Sequence, residues 1–277
     1  MNNIKLISLF ERVFKDPFYY YIKILEKKMK NLISYLNEEL NSSQNKRKFG
    51  GQFAKGMLIN AIKKEIRENG PNCSLNHFDV SNFTDLSQLF CGEGLDRFNG
   101  DISEWDVSNV TDMGAMFANS EFNGDISKWK VSNVTDMGSM FARSKFNGDI
   151  SSWDVSNVKE MDFMFEESDF NNDISKWNVS KVEDMKRMFE KSKFNQDISK
   201  WTVSKVKNMY GMFSYSRFNG NISKWDVSNC KTMYDMFKDS KFNNNISSWE
   251  INPDCDTRQM FNNCSIKEEY KPKNVGK

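Results

Sequence analysis

Histidine, cysteine and proline are scarce in this chain: one, five and four residues among 277. The single histidine, His77, stands beside Phe78 with no cysteine at ligand spacing, so it reads as structural. No Ser-His-Asp or Cys-His set can be assembled around it, and no phosphate-binding glycine loop is present. Neither an enzyme nor a cofactor is expected. The cysteines, Cys73, Cys91, Cys230, Cys255 and Cys264, are odd in number and scattered. They suit neither a disulfide framework nor a zinc site. Long apolar runs are also missing, so no segment is expected to cross a bilayer. Lys5, Glu11, Arg12 and Lys15 break up any signal-peptide core. An intracellular or virion location is therefore expected. The net charge of +1 hides an asymmetry, because residues 1–70 carry 14 Lys and Arg against 7 Asp and Glu. The head is basic and the remainder acidic. Lys46-Arg47-Lys48 is too short a run to argue for nucleic acid as a partner.

What is present is a repeat. All seven tryptophans, at positions 105, 129, 153, 177, 201, 225 and 249, stand 24 residues apart. Self-similarity at such a period marks one unit copied many times, each copy burying its apolar face against its neighbours. Seven units run over 98–265, and residues 122–145 show the unit most clearly. In the first copy the apolar columns are Phe98, Ile102, Trp105, Val107, Val110, Met113, Met116 and Phe117. The segment Ile-x-x-Trp-x-Val has the spacing of the strand in a leucine-rich repeat. Val110, Met113, Met116 and Phe117 then follow at intervals that suit one face of a short helix. The expected fold is an α/β repeat solenoid. It would be a leucine-rich-repeat-like right-handed coil with short parallel strands and short helices, preceded by an α-helical N-terminal region.

The expected organisation has four parts. Residues 1–53 are a helical leader and linker. Residues 54–97 are a cap helix (about 54–68, with Ile59, Ile62 and Ile66 on one face) and an irregular first coil. Residues 98–266 are the repeats, and 267–277 a polar, mobile tail. In the leader, Asp16-Pro17 is a helix start. Phe18, Ile22, Leu25, Met29, Leu32 and Leu36 then form an a/d seam of under three heptads. Three readings stand for this helix: packing within the chain, association with another helix including self-association, and contact with anionic lipid through Lys23, Lys27, Lys28 and Lys30.

The polar columns carry the candidate chemistry. The Asn column from Asn99 to Asn243 is expected to be an internal amide ladder that satisfies turn backbone, and the Ser column from Ser120 to Ser240 to do the same on the other side. Asp101, Asp125, Asp149, Asp173 and Asp197 should stack and repel one another unless something compensates. Calcium is one solution. Turn amides and the neighbouring lysines are another, and Asn221 and Asn245 in the same column favour it. Outward aromatics at Tyr210, Tyr215, Tyr234 and Phe163, with the lysine column Lys128, Lys176, Lys200 and Lys224, form the candidate partner surface. The alternative is that these aromatics merely cover apolar neighbours.

The phrase Trp-Asp-Val-Ser-Asn-Val-Thr-Asp-Met at 105–113, with Phe-Asn-Gly-Asp-Ile-Ser before it, resembles the BspA-like leucine-rich-repeat surface proteins. These are short-repeat proteins of mollicutes, Gram-positive bacteria and large DNA viruses. The resemblance covers about residues 56–266. It implies a ladder of interaction surface, often used in adhesion, and no catalytic residues. It also implies a protein partner, with a structural, self-associating component of a virus particle or cell surface as the alternative.

Overall fold

A computed structural model of the chain describes residues 52–273 and Val275. The chain divides into two units, Met1–Gly50 and Gly51–Lys277. The seam at Phe18, Ile22, Leu25, Met29, Leu32 and Leu36 lies outside the described residues.

Helix α1 (Gln52–Asn69) comes first. Its spacing of Ala54, Leu58 and Ile62 places three buried side chains on one face, and Ile59 and Ile66 pack beside them. Leu58 and Ile62 share one apolar cluster with Leu75, Val80 and Leu86 of the first coil. Lys55 reaches the same coil with its ammonium, 2.7 Å from Asp85 and 2.8 Å from Ser87. Gly70 ends the helix at φ 87°, where its amide donates to the Ile66 carbonyl at 2.8 Å. A left-handed residue after the last turn is the usual helix stop, and glycine adopts it without strain.

Each 24-residue unit then bonds to the next. One chain of isolated parallel bridges runs Asp85, Asp112, Asp136, Glu160, Asp184, Asn208, Thr232, Asp256. The pairing therefore falls on the Thr-Asp-Met stretch, and no strand forms along Ile-x-x-Trp-x-Val. The link at the tryptophans is different. The indole N–H of Trp129 donates to the Ile102 carbonyl of the preceding unit at 3.1 Å. The same bond recurs down to Trp249, which donates to Ile222 at 3.0 Å. Ring stacking accompanies it, with Trp105 and Trp129 at 6.4 Å and 4°. Two phenylalanine columns stack likewise, Phe117 on Phe141 at 5.7 Å and Phe122 on Phe146 at 6.2 Å. Full burial of one such ring contributes about 1.5–3 kcal/mol.

The helix expected after each Val column is absent among the described residues. Residues 111–120 form consecutive turns instead, with Met116 N–H to Met113, Ala118 N–H to Ala115 and Ser120 N–H to Phe117. Alternate amides are diverted along the stack: Met113, Ala115, Phe117 and Asn119 donate to Asp136, Gly138, Met140 and Ala142. An α-helix consumes its amides internally. A neighbouring copy in register offers a carbonyl to each diverted amide, so the turns are fully bonded. The diversion needs a left-handed residue twice per unit, as at Ala115 (φ 53°) and Asn119 (φ 56°).

The ladders form as the sequence suggests, although the Asn ladder lies at the surface rather than inside. Each Asn Oδ1 accepts the amide of the next Asn, for example Asn99 from Asn123 at 2.7 Å. The Ser column is buried, and its hydroxyls accept the Phe amide two residues on, as in Ser168 to Phe170 at 3.1 Å. Gly100 is held by sterics, since a Cβ there would lie 1.9 Å from the Cys73 carbonyl oxygen.

Part of the tail lies among the described residues. Residues Glu268–Tyr270 form a short 3-10 turn, and the Tyr270 carbonyl accepts the Ile246 amide at 3.0 Å. Ile266 is buried, and Tyr270 and Val275 pack on the last coil. The open end of the stack has apolar surface and unpaired amides to cover, and these residues cover it.

Candidate interaction surface

The position after the first Met column of each unit varies strongly between copies. Down the stack it reads Ser87, Gly114, Gly138, Asp162, Lys186, Tyr210, Tyr234 and Arg258. The residue two places earlier sets its direction. Asp112 Oδ1 accepts the Gly114 amide at 2.8 Å, Asp184 that of Lys186 at 2.7 Å, and Asn208 that of Tyr210 at 3.1 Å. The next residue is left-handed in every unit, including Phe163 at φ 55° and Arg187 at φ 51°. A bulky residue in that region is uncommon.

In the C-terminal half this position builds a ribbon of aromatic and cationic groups. Tyr210 and Tyr234 stack at 5.4 Å and 5°. The Arg187 guanidinium lies 5.0 Å from the Tyr210 ring, 5.8 Å from Phe163, and donates to the Tyr210 hydroxyl at 3.2 Å. Lys186 is 5.2 Å from Phe163 and 5.7 Å from Tyr210, and Arg258 is 5.6 Å from Tyr234. Such contacts contribute about 0.5–1 kcal/mol each at exposed sites. Tyr215 stands apart in the other left-handed position, 47% exposed, with Lys191 6.0 Å from its ring. Lys238, whose ammonium is held above its ordinary pKa chiefly by Asp235, also interacts with both Tyr215 and Tyr234.

In the N-terminal half the same face is glycine and carboxylate. Burial pushes the Asp112 carboxyl up, and the charges of Asp136 and Asp85 add to it. Burial raises Asp162, with Asp184 and Asp136 adding to it, and burial raises Glu160, with Asp184 and Asp162 adding. Asp85 differs. Burial raises its pKa, but Lys55 and the bonds from Ser87 outweigh that and hold it below the ordinary value.

The Asp column lies elsewhere on the coil and is exposed. Asp101, Asp125, Asp149, Asp173 and Asp197 each accept the amide of the serine two residues on, at 2.8–2.9 Å. Those amides are the leading cause of their lowered pKa values. Asn221 and Asn245 keep the same bond. Turn amides thus supply the compensation. Among the described residues no group of three or more His, Cys, Asp or Glu is placed to hold a metal ion. Lys128, Lys176, Lys200 and Lys224 are exposed, and the first three lie beside Asp125, Asp173 and Asp197. No contact among the described residues joins this lysine column to the tyrosines, so the sequence-based candidates fall on separate surfaces. Lys186, Arg187 and Arg258 were not among them. Reading down the variable position, rather than searching for aromatics, would have found Lys186 and Arg258, and the next position Arg187.

Three overlapping stretches, 60–169, 120–217 and 167–271, match the family described as Mycoplasma protein of unknown function, DUF285. The chain belongs to this family. The matched stretches of this DUF285 protein extend from α1 through the last unit to the turn at Glu268–Tyr270. The match agrees with the mollicute side of the resemblance in its repeats. No curated protein matches the chain. No solved structure matches it either. Among the described residues no helix is long and apolar enough to cross a membrane.

Proposed function

We propose that this DUF285 protein is a non-catalytic protein–protein interaction scaffold, a leucine-rich-repeat-like solenoid of the BspA-like kind. The observation that supports this reading is the outward Tyr210–Tyr234 stack flanked by Arg187, Lys186 and Arg258. Tyr and Arg carry a disproportionate share of binding energy at protein interfaces. Here they are held by neighbours on both sides, so little side-chain freedom remains to be lost on binding. The interior columns contribute stiffness and leave this face in a fixed shape. Adhesion or host interaction is the setting that the resemblance suggests for such a scaffold.

The test is capture of a protein partner by full-length chain and by a Tyr210→Ala/Tyr234→Ala variant. The variant is expected to lose at least about tenfold in affinity, the scale of a modest hot spot. Lys200→Ala, on the separate lysine column, is expected to bind as the wild type does. Equal capture by the wild type and the tyrosine variant would remove this face from the interaction.

The a/d seam at 18–36 favours a second reading, a structural component that self-associates through its leader. Deletion of the leader should then abolish oligomers while partner capture persists.

A further inference from the structure

The variable position is self-complementary when its order is reversed. Read forward it is Ser87, Gly114, Gly138, Asp162, and read backward from the other end it is Arg258, Tyr234, Tyr210, Lys186. Small or acidic residues thus stand at the same distance from the centre as large or cationic ones. In the neighbouring left-handed position the central pair, Phe163 with Arg187, is an aromatic matched with a cation.

We infer that this face is an isologous interface on which a second copy of the chain docks face to face, with its stack running antiparallel. The two-fold axis passes between the third and fourth units. Asp162 of each copy then meets Lys186 of the other, and the two Tyr rings of each copy lie against Gly114 and Gly138, from which no side chain projects. Identical coils make this possible, because a constant rise per unit keeps both members of every pair in register along the stack. An isologous contact closes on itself and makes a dimer, whereas the same patches joined head to tail would continue into a filament.

Physical details on the face fit this occupant. The glycine positions are rimmed by carboxylates: a Cβ on Gly114 would lie 3.2 Å from Asp112 Oδ1, and one on Gly138 would lie 2.7 Å from Asp162 Oδ1 and 3.2 Å from Asp136 Oδ1. A phenol hydroxyl arriving there meets an acceptor. Asp112, Glu160 and Asp162 lose solvation and repel their neighbours, so an arriving cation relieves an existing cost. The cations on the other half already lie over aromatic rings, Lys186 and Arg187 over Phe163 and Arg187 over Tyr210, which holds them in place on the face. Two like-charge pairs occur in the bridge column in this register, Glu160 against Asp184 and Asp85 against Asp256. Asp85 already holds the Lys55 ammonium at 2.7 Å and Asp256 the Arg258 guanidinium at 2.8 Å. Asp184 is already bonded by the Asn208 amide group at 2.8 Å, and Lys186 stands two residues from it.

The inference rests on the interaction reading above and names the partner of this face. The test is sedimentation equilibrium of the full-length chain and of two single variants, Asp162→Lys and Lys186→Glu. Wild type is expected to dimerise, more weakly as salt is raised. Each variant alone places like charges opposite each other twice, and is expected to weaken the dimer by about a hundredfold. An equimolar mixture of the two variants restores opposite charges at both positions and is expected to recover the dimer. Far-UV circular dichroism and melting verify that each variant folds, and Tyr234→Ser, which changes no charge, is expected to weaken the dimer independently. A monomeric wild type overturns the inference while leaving capture of another protein as a separate question. A dimer insensitive to both variants, or a mixture that fails to recover, also overturns it and moves self-association to another part of the chain.

Discussion

The interior columns and the variable face lie on the same coils but follow opposite rules. Inside, Phe, Ile, Trp, Val and Met recur with few changes, and all but a few of these side chains are essentially without solvent contact. Each interior residue stacks on its own kind one unit away, so a change of size in one copy spoils the fit with two neighbours. On the face the residue after the first Met runs from glycine to tyrosine to arginine. Its backbone bonds are made by the amide and by the acceptor two residues earlier, so the side chain is free to differ. Sameness holds the stack together, and difference gives each height along it a separate character.

That contrast is open to breaking from the inside first. Trp177→Ala, in mid-stack, should cost about 3–5 kcal/mol in chemical denaturation, as large-to-small changes of buried aromatics do. Tyr234→Ala on the face should stay within about 1 kcal/mol. A comparable loss for the two would erase the distinction. Trp177→Phe is a finer probe. It keeps a ring but leaves the Ile150 carbonyl, now bonded to the indole at 3.1 Å, without its partner. A cost of about 1–3 kcal/mol is expected for an orphaned buried acceptor.

The ladders should come next. Asn147→Ala removes the acceptor of the Asn171 amide, 2.8 Å away. Loss of about 1 kcal/mol is expected because that amide lies near the surface and recovers water. Gly211→Ala tests the left-handed position, where φ is 59° and the new Cβ would approach Arg187 Cγ at 3.2 Å. About 1 kcal/mol of destabilisation is expected.

The smallest effect should appear in pH dependence. Asp162 has its carboxyl raised in the folded protein by burial and by Asp184 and Asp136. The folded state therefore holds that proton more tightly than the unfolded chain. Its contribution falls as pH rises from the ordinary carboxylate value through the raised one. Asp162→Asn should raise the melting temperature at neutral pH slightly and leave it unchanged in acid. Asp125 is the opposite case, lowered chiefly by the Ser127 amide. It adds stability above the ordinary value and loses it as pH falls through the lowered one. Asp125→Asn should keep the turn bond, as Asn221 does, and reduce the loss in acid.

Much of this was legible in the sequence, because a period is a strong signal. The tryptophan spacing located the units, and the apolar columns named the core. The spacing of Ile59, Ile62 and Ile66 placed a helix within two residues of its observed start and one of its end. The turns were not legible. Val110, Met113 and Met116 recur every three residues, which suits a helix face and equally suits a coil that turns a corner every three residues. Most residues that take left-handed backbone, Ala115, Ser139, Phe163 and Arg187 among them, do not announce it as Gly211 does. The tyrosines were visible as aromatics. Their cationic neighbours were not, because Lys186 and Arg187 look like ordinary surface charge until the stacking brings Phe163 and Tyr210 beside them.

The bond from each indole to the isoleucine carbonyl one unit earlier, and the matching bond along the asparagines, join any copy to any other. A whole coil removed or duplicated in frame would leave joints of the same kind, so the gene could lengthen or shorten by recombination between its own copies without a new interface evolving. Copy number would be free to drift as far as the interior is concerned. Only the face counts the coils, since one unit gained at the C-terminal end would move its centre onto Lys186 and leave a lysine facing a lysine.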